Sequence, residues 1–256
     1  MLFRSDEIHA RPPVALWPFE RLLSQAFLLD PLSRQAQLEW IRTLASRLNL
    51  NEDGSSPSFR IIELRPAPQR VVIKWELHGE FASVSAVIQQ SSGLTSAHAQ
   101  SRETYENEVN QLLHHLGCKP LHEAGGQRLA AVDIAYEDHY LVEDATEIAP
   151  LFSGNTLLGS TILSSSRAQL WTDLQLNEDG YVSFLVLQKG IGSRQAGRIA
   201  RRIIEAETYR MAAMLAFPLA KNLSAPLRQA EEELAKLSGE IAQTQTDFSE
   251  IGRAHV

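Results

Sequence analysis

The feature that most constrains this chain is a heptad-patterned run near its C-terminal end. Leu227, Leu234, Ile241 and Phe248 stand seven residues apart, and Ala230, Leu237 and Thr244 take the companion positions. That spacing puts them all on one seam of a helix, and an apolar seam in water is stable only when another helix covers it. The pattern predicts self-association or a helical partner through Leu227, Leu234, Leu237 and Ile241. It stops mid-pattern, so residues 220–249 read as the truncated start of a coiled-coil region. An Arg-rich segment, Ser193 to Phe217, precedes it, with Ile199, Ile203, Ala206, Met211 and Met214 at helical spacing. Ser193 is suited to cap this helix and Pro218 to end it, which predicts an αα-hairpin turning through Lys221 to Pro226.

Upstream, the pattern changes from helical to alternating. Leu38, Ile41, Leu44, Ala45 and Leu48 form a helical stripe after Asp30-Pro31, and a short apolar run, Leu22 to Leu29, comes before it. Phe59 to Leu64, Arg70 to Leu77 and Phe81 to Ile88 alternate and are separated by breaks, which predicts a three-stranded antiparallel meander. Arg102 to Leu116 reads as a helix, Leu129 to Tyr136 as a strand, Glu143 to Phe152 as a short helix and Thr156 to Leu163 as a strand. Gln169 to Leu176 and Tyr181 to Leu187 flank Asn177-Glu-Asp-Gly180, whose turn chemistry predicts a hairpin. The expected fold class is α+β: a mixed, largely antiparallel sheet with flanking helices, followed by the long αα-hairpin or coiled-coil helix. The α+β domain is expected over 6–219.

Both ends carry a different signature. Ile251 to Val256 can be written ATC GGA AGA GCA CAC GTC, a sequencing adapter, and Leu2 to Ser5 as CTC TTC CGA TCT, the reverse complement of the same adapter. Inverted matches at both ends predict that 1–5 and 250–256 are artefacts, to be left out of fold reasoning.

Composition narrows the function classes. A net charge of −7 argues against a dominant nucleic-acid surface, because phosphate binding needs a basic face and only the helix from Ser193 offers one. No nucleic-acid partner is expected. A single cysteine, Cys118, excludes an intrachain disulfide framework and a multi-Cys zinc site, and predicts a small buried apolar residue there. No run approaches the roughly 20 apolar residues of a membrane span, so the fragment itself is expected to be soluble.

Four motifs carry the remaining chemistry: Glu7-Ile-His-Ala-Arg-Pro12, Lys74-Trp-Glu-Leu-His-Gly-Glu-Phe81, Trp171-Thr-Asp173, and Arg194-Gln-Ala-Gly-Arg198 with Glu207-Thr-Tyr-Arg-Met211. His9, Arg11, His78 and Asp173 are candidate binding residues, since arginine pairs with oxyanions and imidazole and carboxylate suit polar ligands. Arg194 and Arg198 are further candidates, where anionic groups would meet the start of a helix. Glu205 lies four residues after Arg201, a spacing that predicts a structural ion pair. No HExxH, GxSxG or acid-rich metal pattern is present, so no catalytic residue, metal or cofactor is expected.

In their order and content these motifs resemble a bacterial membrane-anchored family catalogued as domain of unknown function 3422. The resemblance covers most of Asp6 to Leu223. It implies a cytoplasmic domain at the inner membrane, attached through a C-terminal part beyond this chain, and a non-enzymatic role as an interaction or assembly module. Two alternatives stay open: the soluble domain of a CorA-like ion-transport protein, suggested by element order alone, and an enzyme with a pocket of His9, Arg11, His78 and Asp173.

Overall fold

Glu20–Leu28 (β1) is the middle of the molecule, and alternation did not reveal it. Its side chains are buried from Glu20 to Phe27 because both faces of the strand are covered. Its polar members are accommodated in pairs. Arg21 makes a bidentate pair with Asp133 on the neighbouring strand (2.7 and 2.6 Å), and Ser24 meets Ser85 at 2.8 Å. The computed structural model describes residues 11–50, 57–64, 70–90, 101–138, 141–162 and 167–253, with side chains to 241.

The other strands are Phe59–Leu64 (β2), Val71–Leu77 (β3), Phe81–Gln89 (β4), Gln127–Asp138 (β5), Leu158–Ile162 (β6), Ala168–Leu176 (β7) and Val182–Gln188 (β8). They form one eight-stranded sheet in the order β2-β3-β4-β1-β5-β8-β7-β6. Every neighbouring pair is antiparallel except β5 and β8. The fold is therefore mixed α+β and largely antiparallel, with the expected meander at one edge. The β7–β8 hairpin closes as its residues dictate: Asn177 Oδ1 accepts from the amides of Asp179 (3.1 Å) and Tyr181 (2.9 Å), and Gly180 takes φ 76°.

Two layers cover the sheet. On one face lie Pro31–Arg47 (α1), capped by Asp30, whose carboxylate accepts from the Ser33 amide at 2.7 Å, and Arg102–His115 (α2). Trp40, Ile41 and Leu44 of α1 and Tyr105, Val109 and Leu113 of α2 meet Leu23, Phe27, Ile73 and Trp75 in the largest core cluster. Cys118 joins this cluster, and burial pushes its thiol pKa up. The segment expected as one short helix over Glu143 to Phe152 is two 3-10 turns, Ala145–Glu147 and Ala149–Phe152. Pro150 lacks an amide proton to continue the first turn into the second. Trp171 packs beside this segment, half-buried rather than in the central core.

The opposite face is covered by the start of Ser193–Arg253 (α3), through Ala196, Ala200 and Ile203, and by the arm 11–16, through Val14 and Leu16. Small residues on α3 let the arm come close. The Leu16 amide donates to the Ser193 carbonyl at 3.1 Å, and a Cβ on Gly197 would stand 2.0 Å from the Val14 carbonyl oxygen. Gly192, not Ser193, holds the N-cap position: its carbonyl accepts from Gln195 (2.9 Å) and Ala196 (3.1 Å), and Ser193 is already helical.

By contact density the chain divides into two compact units, Met1–Tyr209 and Arg210–Val256. The second is helical, and the αα-hairpin expected through Lys221 to Pro226 does not form: α3 continues through Pro218 and Pro226. No glycine lies in that stretch to take the left-handed residue that ends many helices. The Ser224 hydroxyl donates to the Lys221 carbonyl at 2.7 Å, one turn before Pro226. From Ala213 to Ile241 every side chain is exposed.

Candidate functional site

Alternation along β3 separates two chemistries. Trp75 points into the main core, where its indole N–H donates to Gln37 Oε1 at 2.9 Å, while Lys74 and Glu76 point to the α3 side. In register on β4, Ser85 stands beside Lys74 and Ser83 beside Glu76. On α3, Gly197, Arg201, Ile204, Glu205 and Thr208 recur at helical spacing and face these strands. The arm contributes Arg11, Pro13 and Val14. Together they enclose a cavity of about 280 Å³.

The arm is tied to this cavity at two points. The Arg11 guanidinium donates to His78 Nδ1 at 2.6 Å and to the Leu77 carbonyl at 2.7 Å, and the Arg11 carbonyl accepts from Arg201 at 2.7 Å. The same guanidinium nitrogen lies 3.3 Å from Nε2, so both ring nitrogens face Arg11. The tight turn between β3 and β4 holds the ring: the His78 amide donates to the Phe81 carbonyl (2.8 Å), and imidazole and phenyl stack with centroids 4.2 Å apart. Tyr209 meets the Phe81 ring edge-on at 6.3 Å.

Electrostatics in the cavity favour negative charge near His78. Burial, then the cations Arg11, Lys74 and Arg201, lower its pKa from 6.5 to about 3, so the ring is neutral at physiological pH. Lys74 is 5% exposed, and its pKa is lowered by burial despite Glu76 at 2.8 Å. The Arg201–Glu205 pair forms at 2.8 Å, as its spacing indicates.

The candidate residues do not all gather here. Arg11 and His78 touch each other, whereas Asp173 lies on β7, separated from β3 by β4, β1, β5 and β8. Its carboxylate accepts from the Asn155 side chain (2.9 Å) and the Gln175 amide (3.1 Å), at a β-bulge where Leu174 has φ 53°. Arg194 and Arg198 are exposed on α3 outside the cavity lining. His9 lies outside the described residues. Lys74 and Thr208 belong to the cavity although motif chemistry did not single them out as ligand contacts, and Arg201, read from its spacing to Glu205 as a structural ion pair, lines it as well. The signal for Lys74 was its even spacing with Glu76 and His78.

Among the described residues no group of three or more His, Cys, Asp or Glu is arranged to hold a metal ion. Nor is any helix among them long and apolar enough to cross a membrane. No curated protein and no solved structure matches the chain. A family model described as Protein of unknown function (DUF3422) matches residues 4–251.

Proposed function

Because the chain belongs to the DUF3422 family, whose function is unknown, we propose from its own geometry that it is a non-enzymatic interaction module that self-associates through α3 beyond Arg210. One observation carries the reading: Leu227, Leu234, Leu237 and Ile241 are 61%, 65%, 56% and 63% exposed on one helical seam. Full burial of each is worth roughly 1.5–3 kcal/mol, enough in sum to offset the cost of bringing two chains together. Leu223 and Ala220 continue the seam toward the N-terminus at the same spacing.

Flanking charges favour a parallel pair of identical helices. In that arrangement Glu233 faces Ser238 and Pro226 faces Glu231 of the other copy, so no acidic residue opposes another at these steps. A place at the cytoplasmic face of a bacterial inner membrane is part of the proposal and rests on the family resemblance.

Sedimentation equilibrium of the parent chain and Leu234→Asp tests the assembly. The expected result is a concentration-dependent dimer for the parent and a monomer for the variant, with unchanged circular dichroism from the sheet. A monomeric parent at all accessible concentrations would refute self-association and leave a different helical partner as the reading of the seam.

A further inference from the structure

The cavity under the arm is independent of the apolar seam, and we propose that it binds a small uncharged alcohol: the hydroxyl at Ser83 and Thr208, the carbon body against Val14, Phe81 and Ile204. Charge balance disfavours an ion. Three cations line the cavity, Arg11, Lys74 and Arg201, and so do three carboxylates, Glu76, Glu80 and Glu205. The cations crowd His78, whose ring is neutral, and Glu80 stands two residues along the same turn, so the count closes at zero. A ligand with net charge would upset that balance in a partly desolvated space.

The ions are also engaged with groups of the protein itself. Lys74 meets Glu76 and Arg201 meets Glu205, each at 2.8 Å, while Arg11 donates to the Leu77 carbonyl and faces both ring nitrogens of His78. A zwitterion would have to break such pairs to be held by its own charges. An uncharged molecule leaves them intact.

What the lining leaves open is a pair of hydroxyls. Ser83 and Thr208 are 5% and 3% exposed, and neither side chain has a hydrogen-bond partner among the described residues. Ser85, the next residue on that face of β4, shows the ordinary arrangement, since its hydroxyl meets Ser24 at 2.8 Å. Leaving a buried hydroxyl unpartnered is costly, and a ligand that hydrogen-bonds there removes the cost. The two hydroxyls belong to one end of the cavity. Phe81 and Ser83 alternate onto one face of β4, and Tyr209, next to Thr208 on α3, meets the Phe81 ring edge-on. An alcohol group, like the hydroxyls it would meet, both donates and accepts. Size sets the carbon body: a cavity of about 150 Å³ holds benzene, so one of about 280 Å³ holds a single ring with a short substituent.

Benzyl alcohol, toluene, benzoate and benzylammonium share one ring and differ in the head group; titrated separately into the isotopically labelled full chain and followed by amide NMR shifts, they test this. Saturable benzyl alcohol shifts centred on Ser83, Gly197 and Thr208 are expected, with affinity at least about tenfold above that of either ion, equivalent to about 1.4 kcal/mol. Thr208→Val keeps the side-chain shape and removes a hydroxyl, so the affinity ratio of benzyl alcohol to toluene should fall at least about threefold. Ser83→Ala should lower the same ratio, and one variant suffices if the other fails to fold. Ile204→Trp, which fills the cavity, should lose benzyl alcohol binding at least about tenfold. Equal or tighter binding of benzoate or benzylammonium, no saturable benzyl alcohol shift, an unchanged alcohol-to-toluene ratio in the folded hydroxyl variants, or shifts that persist in Ile204→Trp would each overturn the assignment.

Discussion

Replacing Gly197 by alanine should unfasten the arm. In an exposed helix interior this change would stabilise by about 1 kcal/mol, through helix propensity. Here the added Cβ would lie 2.0 Å from the Val14 carbonyl oxygen and 2.9 Å from the carbonyl carbon, backbone atoms that cannot rotate away. The arm must lift or α3 must shift. Lifting exposes Val14 and Leu16, now 8% and 1% exposed, at roughly 1.5–3 kcal/mol each if complete. It also breaks the Leu16–Ser193 and Arg201–Arg11 hydrogen bonds, about 0.5–1.5 kcal/mol each. Partial relaxation recovers some of this, so the net loss should be about 2–4 kcal/mol. Urea unfolding measures it, with Gly239→Ala as the control, because a Cβ there meets nothing within 4 Å and should be neutral or slightly stabilising. If Gly197→Ala proves as stable as the parent while the control behaves, the close arm–helix approach does not hold in solution.

Trp75→Ala should cost about 3–5 kcal/mol in urea unfolding, since the ring is 1% exposed and its indole N–H satisfies Gln37; a midpoint that barely moves would contradict its core placement. His78 should make the domain acid-sensitive. Its folded pKa of about 3 lies below the ordinary 6.5, so the unfolded chain takes up a proton first; the stabilisation is complete above pH 6.5 and is lost as pH falls toward 3. The loss is at most about 1.4 kcal/mol per pH unit, or about 2 kcal/mol by pH 5. His78→Gln, which keeps an acceptor for Arg11, should flatten the stability profile between pH 7 and 5, and identical profiles for the two proteins would count against the neutral buried imidazole.

Elements with one wet and one dry face were legible in the sequence. β2 and α2 announce themselves by period, because water leaves one side of each polar, whereas β3, β4 and β8 are covered on both faces and were legible from the breaks and turn residues that bound them. β1 did not announce itself, since a strand covered on both faces has no polar side, and its buried Arg21 and Gln25 find partners in Asp133 and Tyr181. The expected αα-hairpin treated two prolines as a turn, although proline alone removes hydrogen bonds without supplying the left-handed residue that reverses a helix. At the site, motif chemistry found Arg11 and His78 because their residue types are distinctive. It grouped Asp173 with them, yet which strands neighbour one another depends on long-range pairing that no local pattern encodes. Lys74 was harder to recognise, because a lysine in an alternating strand ordinarily marks the solvent side.

The central place of β1 sets the order in which the sheet can assemble. One neighbour, β4, begins at Phe81, and the other, β5, at Gln127, although β1 itself ends at Leu28. During synthesis at roughly 5–20 residues per second, the strand waits about 5–20 s for its second partner. Until then Leu22, Leu23, Ala26 and Phe27 have at most one flank paired, and the parallel β5–β8 contact cannot close before residue 188 has emerged. Distant pairings of this kind slow folding and lengthen the exposure of sticky strand edges. A nascent chain of this type depends on protection of its first strand more than of its last helix.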